Sequence, residues 1–325
     1  METMRERFCR IASDLLDTDP RLAVVLADIS ADAFGPAQRR HPDRVINLGI
    51  REQLVISVSG GLALSGMRPI AHTFASFLVE RPWEQIKLDL VHQGVGAVLA
   101  SAGASYDIAS GGRTHQSPGD VALLDTLPGA VVHVPGHPDE AERLLRASVG
   151  GDDLVYLRMS LESNLAPLAG PASGWTLLRD GSAGAVVAVG PVADEVLLAT
   201  QGMDVAVLYA ATIRPFDGAA LRAVLGRPDV VLVEPYLAGT SAAQAAAALA
   251  DRPHRLLSLG VGRDELRRYG TRQEHRAAHG LDAASLRERI AGFLGSGGPA
   301  GAAGLAGLGG YPPIVVHGRE RSHAT

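Results

Sequence analysis

The feature that most constrains this chain is the alternation of short, continuously apolar, β-branched runs with longer stretches of helical periodicity. Runs at Leu22–Ala27, Val45–Leu48, Pro69–Thr73, Ala97–Ser101, Ala130–Val134 and Leu154–Leu157 read as strands. Between them, Glu52–Leu64, Phe77–His92, Pro118–Leu124 and Pro138–Ser148 read as helices. Strands that are apolar on both faces need cover on both sides, which a parallel sheet of βαβ units provides. A Pro-, Gly- and Ala-rich break at 165–174 interrupts the pattern, and the same grammar then restarts. Strands at Ala185–Val189, Val205–Tyr209, Val230–Val233 and Leu256–Leu259 alternate with helices at Ala193–Thr200, Gly218–Leu225, Ser241–Ala250 and Ala283–Phe293. The expectation is an α/β fold of two domains, 1–168 and 175–295, each a mostly parallel sheet flanked by helices. Residues 296–325, Gly/Ala-rich and then charged, read as an unstructured tail.

Composition narrows the functional classes. A net charge of -5 gives no electrostatic reason to expect nucleic acid or an anionic membrane as partner. No apolar run approaches the ~18 residues of a membrane span, and the N-terminus does not read as a signal peptide. The single cysteine, Cys9, cannot form an internal disulfide and fits a reducing compartment, so a cytoplasmic location is expected. The 11 histidines show no metal-ligand spacing; His275 and His279 are four apart but have no third ligand nearby, and no metal site is expected in this chain.

Nucleotide-binding signatures fail on their order. Gly94-Val95-Gly96 precedes a strand instead of following it, and Gly260-Val261-Gly262 is succeeded by Arg263, Asp264 and Glu265. A P-loop and a G-x-S-x-G nucleophile elbow are both missing. Three other segments stand out, each just after a strand, where open α/β sheets bind ligands. Asn47-Leu48-Gly49-Ile50-Arg51-Glu52-Gln53 sets a carboxylate where a strand hands over to an apolar helix. His72-Thr73-Phe74-Ala75-Ser76-Phe77 puts together two of the six phenylalanines, and Gly111-Gly112-Arg113-Thr114-His115-Gln116 sets a histidine in a glycine loop. Singly, each has an ordinary structural explanation: an acid favoured by a helix dipole, two core aromatics, a satisfied loop histidine.

Jointly and in this order, the segments resemble the pyrimidine-binding domain of transketolases, and the resemblance extends over about residues 20–295. The family's G-[IV]-R-E signature stands as Gly49-Ile50-Arg51-Glu52, its Thr-Phe-x-x-Phe as Thr73-Phe74-Ala75-Ser76-Phe77, and its Thr-His-Gln as Thr114-His115-Gln116. Arg214-Pro215-Phe216-Asp217, Tyr269-Gly270-Thr271, Glu274-His275 and Gly280-Leu281-Asp282 resemble the C-terminal domain of the same enzymes. The resemblance implies thiamine diphosphate as cofactor, with Glu52 hydrogen-bonded to N1′ of its aminopyrimidine and sharing a proton with it. It further implies that Phe77, with Phe74 beside it, stacks on the ring. His115 would bind substrate oxygens and assist proton transfer, and Asp28 would lie near the cofactor.

The family's diphosphate is held through Mg²⁺ by a G-D-G…N motif in a separate N-terminal domain, and no Gly-Asp-Gly occurs in this sequence. The resemblance therefore implies the small subunit of a split transketolase. A larger partner would bring Mg²⁺ and the diphosphate site in an α2β2 assembly and, with this chain, transfer a two-carbon ketol unit from a ketose to an aldehyde. Competing readings are the β subunit of a 2-oxo acid dehydrogenase, a subunit delivering the two-carbon unit to a lipoyl or carrier-protein thiol, 1-deoxyxylulose-5-phosphate synthase chemistry, and a non-catalytic regulatory subunit. Several substrate positions depart from the family pattern. Gly111 stands where a sugar-reading Asp is usual, Arg113 where a Pro is usual, Gly103 in place of a phosphate-binding His, and Asp32 near a phosphate-contacting Ser. Arg158 matches the family's phosphate arginine. These departures imply a non-standard substrate, with Arg113 or Arg158 gripping a carboxylate, a sulfonate or a differently placed phosphate.

Overall fold

The apolar runs that become the strands Leu22–Leu26, Val98–Ala102, Val155–Met159, Ala185–Val189 and Ala206–Ala210 are buried along their whole length, so they need helices on both faces of a parallel sheet. The computed structural model describes residues 2–170 and 174–295, and the tail expected at 296–325 lies outside the described residues. In chain order the strands are β1 (Leu22–Leu26), β2 (Val45–Asn47), β3 (Arg68–Phe74), β4 (Val98–Ala102), β5 (Val131–His133) and β6 (Val155–Met159). They continue with β7 (Thr176–Arg179), β8 (Ala185–Val189), β9 (Ala206–Ala210), β10 (Thr212–Arg214), β11 (Asp229–Leu237) and β12 (Arg255–Val261). A seven-stranded sheet has the order β10-β5-β6-β4-β3-β1-β2, and a five-stranded sheet the order β12-β11-β8-β9-β7. All pairings are parallel except the edge strands β10 on β5 and β7 on β9.

Two strands escaped the sequence reading. β7 and β10 are four and three residues long and sit at sheet edges, so neither carries the buried apolar run that marks the others. β10 follows β9 closely, yet it leaves the second sheet and pairs with β5 of the first through Thr212↔His133 and Arg214↔Val132. The helix expected over Phe77–His92 is also broken. Wide π-helical turns at Ser76–Glu80 and Ile86–Val91 flank a single short turn at Trp83–Gln85. Pro82 accounts for the break, since it donates no backbone hydrogen bond and crowds the preceding turn. The helix read from Pro118 starts instead at Asp120.

The sheet order brings the C-terminal ends of β4, β3, β1 and β2 side by side on one edge, where all three unusual segments emerge. The second half of the chain braces this edge. The Leu237 amide donates to the Pro118 carbonyl at 2.8 Å, and the Ser105 hydroxyl donates to the Pro235 carbonyl. Farther away, Tyr209 donates to the buried Glu140 carboxylate at 2.5 Å, and Arg276 reaches Glu162 at 2.5 Å. Among the described residues no helix is long and apolar enough to cross a membrane.

Candidate functional site

Glu52 is the first residue of the helix Glu52–Leu64, immediately after the turn that leaves β2. Gly49 makes that turn at φ +69, a conformation that costs glycine little. Asn47 braces it: its side-chain carbonyl accepts from the amides of Gly49 and Asp28, each at 3.1 Å, and its amide donates to the Asp28 carboxylate at 3.1 Å. The Glu52 side chain is only 2% exposed, and Arg81 Nη1 donates to its Oε2 at 2.6 Å. The Arg81 guanidinium also lies over the Phe77 ring, 4.0 Å from its centroid.

The other predicted residues converge on the same aromatic group. The ring centroid of Phe77 is 5.0 Å from that of His115 and 6.2 Å from that of Phe74, and Phe74 is 5.7 Å from His115, all edge-to-face. Thr114 engages Nδ1 of His115 at 2.9 Å. The glycines before this histidine are shaped by it and by the second domain. A Cβ at Gly111 would lie 2.8 Å from the His115 ring, and one at Gly112 would lie 2.7 Å from the Tyr269 ring. Gly112 also has φ +69 and ψ -165, a region essentially reserved for glycine. Two buried polar atoms in the same segments, Ser76 Oγ and Gln116 Nε2, have no partner among the described residues.

Glu52, Phe77, Phe74 and His115 are thus brought together, while the remaining predicted residues fall elsewhere. Asp28 is exposed at φ +61 and lines a different cavity, with Arg5, Cys9 and Ser30. Arg113 is exposed, pairs with Glu265 at 3.1 Å, and lines a cleft towards the second domain with Gln116, Arg263 and His279. Arg158 requires correction as a substrate-gripping residue. Its side chain is 1% exposed, Nε donates to Asp120 at 2.8 Å, and Nη2 donates to Ser105 at 2.7 Å. Tyr156 also donates to Asp120, at 2.7 Å, so the guanidinium is enclosed and committed to the protein. Sequence order shows that Arg158 ends a strand but not that its side chain turns inward.

Arg81 was missed, although a signal was present. It follows Phe77 by four residues, the spacing that places two side chains on one helical face.

The arrangement sets a buried carboxylate, an aromatic face and a histidine together on the carboxyl edge of a two-sheet α/β protein. The profile described as "Transketolase, pyrimidine binding domain" matches residues 2–165, and the chain belongs to that family. An uncharacterized 33.6 kDa protein of the fasciation locus of Rhodococcoides fascians is 56% identical over 287 residues, 87% of this chain and 92% of that protein. One of the subunits of the apulose-4-phosphate transketolase of Actinobacillus succinogenes is 29% identical, covering 87% of this chain and 94% of the relative. Among solved structures, a split gene transketolase titled an inactive beta4 tetramer superposes with a TM-score of 0.77 at 24% identity, over 91% of this chain and 99% of that one. That likeness establishes the fold as the transketolase pyrimidine and C-terminal domains in sequence.

The site suits the ring half of thiamine diphosphate. A flat heteroaromatic base needs a face to stack on and a buried acid at its edge, and Phe77 and Glu52 provide both. Among the described residues, no group of three or more His, Cys, Asp or Glu is placed to hold a metal ion.

Proposed function

We propose that this chain is the small subunit of a two-component, thiamine diphosphate-dependent transketolase that moves a two-carbon ketol unit from a ketose to an aldehyde. The observation that carries this reading is the buried Glu52 carboxylate beside Phe77, with His115 in the same aromatic cluster. The cofactor, when bound, supplies the carbon nucleophile and holds the transferred unit. Glu52 holds and returns a proton at the ring's edge, where burial keeps water from competing. Phe77 fixes the plane of the ring, and His115 hydrogen-bonds oxygens of the transferred group and moves their protons. A larger partner carries Mg²⁺ and the diphosphate site, and the two chains assemble as α2β2. The names of the relatives support this division, one being a single subunit of an apulose-4-phosphate transketolase and another a split-gene chain described as inactive in its beta4 form.

The substrate differs from the common pentose and hexose phosphates. Gly111 has no room for a side chain against the His115 ring, and Gly103, at φ +66, would press a Cβ to 2.8 Å from Ile108. Both positions are therefore built for glycine, and the Asp and His usual there are replaced by design of the loop. With Arg158 enclosed, the anionic group of the substrate meets an exposed cation such as Arg113, in the cleft it shares with Arg263.

The test is reconstitution with the large subunit encoded nearest to this chain, followed by ketol transfer from a panel of phosphorylated, sulfonated and unmodified ketoses. Transfer from one of them, lost by at least 10³-fold in Glu52→Gln with assembly intact, is the expected result. Retention of more than half the rate in that variant would remove Glu52 from the mechanism.

A further inference from the structure

The flat cation of Arg81 does in this chain what an aminopyrimidine does in the proposed enzyme. Its guanidinium carbon lies over the Phe77 ring, 4.0 Å from the centroid, and its Nη1 donates to the Glu52 carboxylate at 2.6 Å. One ring face and one buried carboxylate cannot serve two flat partners at once. We propose that Arg81 is an intramolecular occupant of the pyrimidine subsite, which closes the site in the uncombined subunit and leaves when the cofactor ring enters. The inference rests on the thiamine diphosphate reading and adds to it the state of the site before the cofactor arrives.

The local structure makes such an exchange easy. Arg81 is 37% exposed at its side chain, so the guanidinium already borders solvent and needs only rotation about its own bonds to leave. Its backbone sits between the wide turn Ser76–Glu80 and Pro82, fixed independently of where the side chain points. Glu52, by contrast, is enclosed at the start of its helix and cannot follow Arg81 outwards. Without a ring or a guanidinium, the subsite would present a buried carboxylate with no partner, which a folded protein avoids. Arg81 therefore preserves the site in a chain awaiting its partner, and the ring must displace it to bind. A site open for only a fraction of the time binds with its affinity reduced by that fraction.

The test uses the full-length isolated chain and thiamine, which carries the ring without the diphosphate. Dissociation constants are measured by calorimetry for wild type, Arg81→Ala and Arg81→Lys, each first shown to retain its melting temperature within a few degrees. The expected result is at least tenfold tighter binding in Arg81→Ala. Arg81→Lys, which keeps the charge but not the plane, should fall between the two. Adding Glu52→Gln to Arg81→Ala should abolish the gain. Equal or weaker binding by Arg81→Ala, with binding still weakened by Glu52→Gln, overturns the occupant role and leaves the pyrimidine reading standing. If no variant binds thiamine at millimolar concentration, both fall.

Discussion

Removing either half of the Arg158–Asp120 pair distinguishes an internal brace from a substrate-binding arginine. Both side chains are almost wholly enclosed, at 1% and 0% exposure, and meet at 2.8 Å. Arg158→Ala leaves the buried Asp120 carboxylate with two uncharged donors, the Tyr156 hydroxyl and the Val121 amide, and Asp120→Ala leaves the buried guanidinium its bond to the Ser105 hydroxyl but no carboxylate. Breaking a buried pair on one side costs about 3–5 kcal/mol, because the survivor keeps its desolvation cost without compensation. With an unfolding entropy of roughly 2 cal/mol/K per residue and a cooperative unit of roughly 150–300 residues, that loss lowers Tm by roughly 5–17 °C. The assay is thermal unfolding of the isolated chain with no substrate present, repeated for Arg158→Met with Asp120→Leu. The double variant replaces the pair by apolar volume and should recover most of the loss. A single-variant Tm within 2 °C of wild type, with an effect visible only as a raised KM, would refute the reasoning and restore Arg158 to the substrate.

The buried Glu234 carboxyl is pushed up to about 7 by burial. Its contribution to stability is therefore fully present below its ordinary value of 4.5 and lost as pH rises through 7. Glu234→Gln should match wild type in urea unfolding at pH 4.5 and exceed it by on the order of 3 kcal/mol at pH 8, and a constant gap across that range contradicts the assignment. Gly112→Ala forces a side chain onto φ +69 and against Tyr269, and should raise the rate of limited proteolysis within 103–117 several-fold, equal rates being the adverse outcome. Phe77→Leu keeps apolar volume but removes the ring face. In the reconstituted enzyme the cofactor dissociation constant should rise about tenfold, whereas an unchanged constant would place the stacking elsewhere.

Much of this molecule is legible in the sequence, and the reason differs from element to element. β1, β8 and β9 are announced by unbroken apolar runs, because a strand covered on both faces leaves little place for a polar residue, while β4 and β6 begin as such runs and admit Ser101 and Arg158 only near their ends. β7 and β10 are silent because a short edge strand is fixed by the backbone partner it finds, not by its own composition. Glu52, Phe77 and His115 stand out in the sequence because each lies in a segment that follows a strand, and the sheet order sets the ends of those strands together. Arg158 misled because strand position fixes the direction of the backbone but not the acid waiting on another element. Arg81 was overlooked because an arginine in a helical stretch is an ordinary surface residue until a buried acid is seen to face it.

The excursion of β10 into the first sheet limits where such a chain could ever be divided. A gene broken at the Pro/Gly/Ala stretch near 170 would appear to separate two finished modules. The N-terminal product would instead end with β5 bare along one side, its amides and carbonyls open to any passing strand. The C-terminal product would carry an orphan strand with nothing to pair to. The junction that looks most like a linker is thus a poor place for recombination, and exchange between relatives should conserve the pair of halves as one inherited block.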